Sequence, residues 1–211
     1  MGIVDICKMG GSVMWVIMGI GLLAFGVFVE RSFELHRMRI RADDFLRGVI
    51  NILKRGNITE AIAICDDTTG PVARVVRAAI QHNKTGKEDL LRIVEDASEA
   101  EISRMERRLV VIATVAQIAP MLGLLGTVLG MMDGFLVMRS QMPLIQSAQL
   151  MDGILKALVT TAAGLMVAIP CYAAYNLLVI KIDRIVLDME RARTDILAFL
   201  CDSRNKEEQA N

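Results

Sequence analysis

Two threonines, Thr127 and Thr161, sit inside uncharged stretches, residues 109–132 and 157–180, on either side of a short loop. A hydroxyl donates and accepts, so it can pass a proton along a file of water or hold a carboxylate. Counted outward from the loop, Thr127 faces the level of Thr161, with Thr160 adjacent. On the same count Pro120 faces Pro170 and Asp133 faces Lys156. Polar groups are costly in lipid, so hydroxyls meeting at one depth point to a pathway or a tight helix contact. A threonine in a span also commonly bonds back to a carbonyl one turn earlier, which is the structural alternative.

The neighbours of these hydroxyls also admit two readings. Gly126, Gly130 and Gly134 repeat every four residues, as do Thr160, Gly164 and Ala168. Such ladders let helix backbones approach closely, or they line a lumen with small side chains. Pro120 and Pro170 each remove a backbone bond and favour a kink, which is either a hinge or a packing shape. Asp133 and Lys156 form an interfacial ion pair or a charged ring at the mouth of an ion path.

The elements that position these residues are membrane spans. Each of the two stretches holds 24 residues, enough to cross a hydrocarbon core at about 1.5 Å per residue. A third uncharged run, residues 9–29, is read as a retained anchor rather than a signal peptide, because its apolar core is long and no small-residue cleavage site precedes Glu30. The expected organisation is an N-terminus at 1–8, spans at 9–29, 109–137 and 151–180, a helical region at 30–108, a short loop at 138–150 and a C-terminal helix and tail at 181–211. The fold class is all-α, with the second and third helices extending into a cytoplasmic helical bundle.

Net charge is zero, but its distribution is uneven. Of 24 Lys and Arg, 15 lie between Glu30 and Arg108 and six follow Ile180. Arg104, Arg107 and Arg108 abut the second span and anchor it. Positive residues near span ends stay inside, so the N-terminus is expected outside and the C-terminus in the cytoplasm. Only about 13 residues, 138–150, remain for the outer side, so extracytoplasmic work falls to a partner.

Within 30–108, residues 30–55 read as one helix ended by Gly56-Asn57. Short helices follow at 58–65 and from Pro71 to about Asn83, separated by turn residues. From Glu88, apolar Leu91, Val94, Ala97 and Ile102 mark an amphipathic helix with no breaker before Leu109, so it is expected to run unbroken into the second span. Ile182, Ile185, Leu187, Met189, Ile196 and Leu197 continue the third span, and residues 203–211 are expected to fray. Cys7, Cys65, Cys171 and Cys201 are scattered, and His36 and His82 have no partner at ligand spacing, so no metal, disulfide framework or cofactor is expected. No nucleotide-binding loop or catalytic constellation is present. An enzyme and a nucleic-acid partner are excluded, and an ion gradient rather than ATP is the expected energy source.

The run Ala119-Pro120-Met121-Leu122-Gly123-Leu124-Leu125-Gly126-Thr127-Val128-Leu129-Gly130-Met131-Met132 resembles the signature of the MotA/TolQ/ExbB proton-channel family. So does Gly153-Ile154-Leu155-Lys156-Ala157-Leu158-Val159-Thr160-Thr161-Ala162-Ala163-Gly164-Leu165 with Ala168-Ile169-Pro170. The three-span layout resembles the ExbB/TolQ branch, since MotA-type stators typically have four spans. The resemblance implies a homopentamer around the single-span helices of an ExbD/TolR-like partner dimer in the bacterial inner membrane. That assembly converts the proton-motive force into work on a TonB- or TolA-like periplasmic protein, for outer-membrane import or envelope maintenance. The family's pore threonines match Thr127 and Thr161, and the partner supplies the protonatable aspartate. The chain departs from the family at Lys156, where ExbB and TolQ proteins commonly carry glutamate. Two rivals follow: a stator-like scaffold that conducts poorly or uses another ion, and a purely structural oligomeric membrane protein.

Overall fold

The structure is a computed structural model that describes residues 11–38, 42–140 and 147–210. Those residues form seven helices: α1 (Gly11–Met38), α2 (Ala42–Lys54), α3 (Ile58–Asp67), α4 (Pro71–Gln81), α5 (Lys87–Glu106), α6 (Leu109–Ser140) and α7 (Ser147–Ala210). The all-α class holds. The segments Gly11–Leu35, Leu109–Arg139 and Met151–Ser203 are long and apolar enough to cross a membrane. Contacts divide the chain into two units, Met1–Arg31 with Arg108–Leu177, and Ser32–Arg107 with Leu178–Asn211.

The first unit is a helical hairpin, α6 against α7, joined by α1. Small residues make the close contact. A Cβ added to Gly164 would lie 2.6 Å from the Ala119 carbonyl, and one on Gly130 would lie 3.0 Å from the Ala157 nitrogen. Interhelical packing, rather than hydrophobic burial, holds helices together in lipid, and backbones this close maximise it. Helix α1 buries Met14, Ile17 and Ala24 on one stripe with Gly21, spaced by three and four. A Cβ at Gly21 would meet Val167 at 3.1 Å. Glu30 of α1 and Arg108 of α6 form an ion pair. Between the helices lies an apolar cavity of about 440 Å³ lined by Ala24, Phe28, Ile112, Val167, Cys171 and Leu177.

The second unit is built on α4. Pro71 occupies its first turn, where the missing N–H is no loss. Val72, Ala73, Val75, Val76, Ala79 and Ile80 are all buried, which makes α4 a central helix. Arg74 pairs with Glu101 of α5 at 2.6 Å, and Arg77 with Asp66 of α3 at 2.9 Å. Gly56, at φ +81, makes the turn between α2 and α3. The α7 segment of this unit buries Leu178, Ile182, Ile185, Met189, Ala192 and Ile196 at spacings of three and four. Its Lys181 donates to Ser32 at 3.1 Å. Burial, reinforced by neighbouring Asp66, pushes the Cys65 thiol up to about 11.

Several local expectations change. Helices α5 and α6 are separate, with a turn at Arg107–Arg108, so the run into the second span is broken. The break falls beside the Arg108 guanidinium, which is held by Glu30. The buried face of α5 carries Leu90, Val94, Ser98 and Met105, while Leu91 is 43% exposed. A helical face shifts by about 100° per residue, so choosing Leu91 over Leu90 rotated the expected face by one position. Leu187 is likewise exposed. Residues 203–210 continue as helix, since a sequence without Gly or Pro gives the last turn no reason to stop. Helix α6 reaches Ser140 and α7 begins at Ser147, inside the expected loop. The remainder of that loop, residues 39–41 of the expected 30–55 helix, Cys7 and the side chain of His36 lie outside the described residues.

Candidate functional site

One contact fixes the geometry around the threonines. A Cβ on Gly126 would lie 2.6 Å from both Cβ and Oγ1 of Thr160, so these two residues face each other across the hairpin. One residue further turns a helix by about 100°. In two antiparallel helices, a forward step from the contact leads to the same flank on both. Thr127 follows Gly126 and Thr161 follows Thr160, so both threonines stand on one flank.

The opposite flank belongs to α1. Lys156 precedes Ala157 and Val167 precedes Ala168, one step back from the contact. These are the residues that α1 meets: a Cβ on Gly11 would lie 3.1 Å from Lys156 Cε, and Gly21 faces Val167. Asp133, one step before Gly134, joins Lys156 there, with Lys156 Nζ 2.6 Å from Asp133 Oδ2. The charge pair and the threonines therefore occupy opposite flanks of the hairpin.

The hydroxyls are differently engaged. Thr161 Oγ1 donates across the hairpin to the Gly123 carbonyl at 3.2 Å. Thr127 Oγ1 donates within its own helix to Leu124 at 2.5 Å. Both side chains remain partly exposed, and each oxygen keeps lone pairs free to accept. Thr160 differs: it is 1% exposed, packs against Gly126, and donates to the Ala157 carbonyl at 2.8 Å. Its methyl and hydroxyl fill the helix contact, leaving no open side for a path.

The glycines Gly126, Gly130, Gly134 and Gly164 all lie in the hairpin contact, joined by Gly123 and Gly153, which sequence reading left out. Their signal was present, since Gly123 stands three residues before Gly126 on the same stripe. The prolines are not level. Gly164 packs on both the Ala119 carbonyl and Gly123, so its level lies between them and Pro120 lies about five residues, or about 7.5 Å, from the level of Pro170. Counting from the loop assumed equal advance along both helices, and the close glycine contacts impose a different register.

The profile described as "MotA/TolQ/ExbB proton channel family" matches residues 67–191. The chain is similar to an ExbB-like biopolymer transport protein of Synechocystis, 32% identical over 162 residues, which are 76% of this chain and 77% of that protein. It is also similar to a biopolymer transport ExbB homologue of the archaeon Methanothermobacter thermautotrophicus, 28% identical over 186 residues and 86% of this chain. The match spans 64% of that archaeal protein's length. The Tol-Pal system protein TolQ of Haemophilus influenzae is 37% identical over 99 residues, 46% of this chain and 42% of TolQ.

Proposed function

We propose, from the premise that this chain belongs to the MotA/TolQ/ExbB proton channel family, that it is a subunit of an ion-driven membrane motor and that Thr127 and Thr161 line the path. The family is one of transport channel subunits rather than enzymes. The observation that carries the reading is the shared flank. Both threonines stand on the side of the hairpin that α1 leaves open, with lone pairs available to water or to a carboxylic acid.

In this reading several copies, five on the family pattern, surround the single-span helices of an ExbD/TolR-like partner. The partner brings a protonatable carboxylate to the threonine level, and its movement drives a TonB- or TolA-like protein. The membrane is the cytoplasmic one, and the basic clusters around residues 31–41 and 104–108 and after 180 put the N-terminus outside. Gly126, Gly130, Gly134, Gly164 and Thr160 hold the hairpin together. Pro120 and Pro170, at different levels, shape their own helices.

Lys156 motivates the alternative of a scaffold that conducts poorly or uses another ion. Its placement weakens that alternative, because its charge is paired with Asp133 and turned toward α1, away from the threonines. Asp133 and Lys156 are therefore a clamp at the loop end of the hairpin rather than a charged mouth.

The test is complementation of a strain lacking the gene, with the single-span partner co-purified to monitor assembly. Thr127→Ala and Thr161→Ala are expected to abolish function while assembly stays normal. Intact function in both variants would leave the purely structural reading.

A further inference from the structure

The flank that carries Thr127 continues along α6 toward Arg108. The buried residues Ile112, Ala116, Ala119, Gly123 and Gly126 are each followed by one flank residue: Ala113, Gln117, Pro120, Leu124 and Thr127. These follow one another at spacings of four and three, which keeps them on one face of the helix. Gln117 is thus on the same broad flank, turned about 80° from Thr127 around the helix, ten residues or about 15 Å from it and about 13 Å from Arg108.

Gln117 is unlike the other polar side chains of this span. Thr114 and Thr127 satisfy their hydroxyls on the carbonyls of Val110 and Leu124. Gln117 is exposed, and its carboxamide has no hydrogen-bond partner among the described residues. A carboxamide has two donors and an acceptor oxygen, and hydrocarbon satisfies none of them. The same turn holds a second polar group, because Pro120 has no N–H to give the Ala116 carbonyl. On α7 the forward step from Cys171 is Tyr172, 62% exposed, whose hydroxyl also has no partner among the described residues. Cys171 and Ile112 line the same cavity, so Tyr172 lies near the Arg108 end of the flank.

We propose that Gln117 lines the water-filled segment of the ion path between the threonines and the Arg108 end, with Tyr172 beyond it. The ligand is water and the proton it carries. The carboxamide and the Ala116 carbonyl, which Pro120 deprives of its usual helical donor, hold the file where α6 and α7 otherwise present apolar side chains. This inference rests on the proposed function, and it adds a stretch of path that neither threonine reaches.

The test is cysteine accessibility in membrane vesicles from cells making the full chain together with its single-span partner, in a background with the native cysteines changed to serine. A charged, water-soluble methanethiosulfonate is expected to label Gln117→Cys readily and Ile118→Cys, one residue on, at least several-fold more slowly. Gln117→Leu is expected to lower proton flux several-fold, and Gln117→Asn to retain most of it. An unlabelled Cys at 117 with normal flux in Gln117→Leu overturns the proposal. So does labelling that appears only when the partner is absent, which would place the partner helix rather than water against Gln117. If Thr127→Ala and Thr161→Ala also leave flux unchanged, the parent reading has failed. If they abolish flux, the failure belongs to Gln117 alone.

Discussion

Lys156 and Asp133 meet at 2.6 Å and tie α7 to α6 at the loop end of the hairpin, where Gly11 of α1 rests against the lysine stem. The pair is part-exposed, so in water its worth would be about 1 kcal/mol or less, and the adjoining membrane raises that. Asp133→Asn is expected to lower thermal stability in detergent by about 1 kcal/mol. A double-mutant cycle with Lys156→Gln should show coupling, because the second change then removes nothing further. Strictly additive losses would show that the two residues do not act as a clamp.

The glycine contacts give opposite expectations at two positions. Gly164→Ala forces a Cβ to within 2.6 Å of the Ala119 carbonyl, and backbone cannot move aside cheaply. Overpacking of this kind destabilises by about 1–3 kcal/mol. Gly48, in the middle of α2, has nothing within 4 Å of its Cβ position. Gly48→Ala should stabilise by about 0.5–1 kcal/mol through reduced chain entropy. Thermal melts of the two variants, read against the parent, check both signs.

The sequence exposed what depends on local chemistry and hid what depends on register. Span number and class were readable because uncharged length alone decides whether a helix can cross lipid. The ladders were readable because Gly126, Gly130 and Gly134, and likewise Thr160, Gly164 and Ala168, repeat every four residues. The Asp133–Lys156 contact was readable because it lies close to the loop, where errors in counting are small. Farther from the loop the same count misplaced Pro120 against Pro170, since backbone approach at Gly164 and Ala119 sets the register there. The burial of Thr160 and the side of the hairpin taken by α1 depend on tertiary contacts that spacing does not encode. The break at Arg107–Arg108 has no local signal, because its neighbours are all good helix formers.

Cys65 should behave as an inert thiol. With its pKa pushed up to about 11 by burial and Asp66, the thiolate fraction at pH 8 is roughly a hundredfold below that of an ordinary cysteine. Alkylation at pH 8 should therefore modify part-exposed Cys201 well before Cys65. The unfolded thiol ionises from about pH 9 and the folded one only near 11, so this unit should lose stability as pH rises between those values. Equal labelling of both cysteines in the folded chain would contradict the burial of α3 against its neighbours.

The Arg74–Glu101 pair ties α4 to α5, with the glutamate largely shielded and the arginine part-exposed. Arg74→Met is expected to destabilise by roughly 1–3 kcal/mol, because it leaves a shielded carboxylate without its charge partner. Pairing it with Glu101→Gln should recover part of the loss. Urea unfolding of the solubilised chain checks this, and a fully additive double mutant would remove the ion pair as the cause.

Proton flux through the threonine flank is the most direct measurement. The full chain, reconstituted in liposomes with its single-span partner, is to be driven first by a pH gradient and then by a sodium gradient. The account predicts flux under the pH gradient only, falling to background in Thr127→Val with Thr161→Val while the complex stays assembled. Parental flux in that double variant, or current carried by sodium alone, would contradict it.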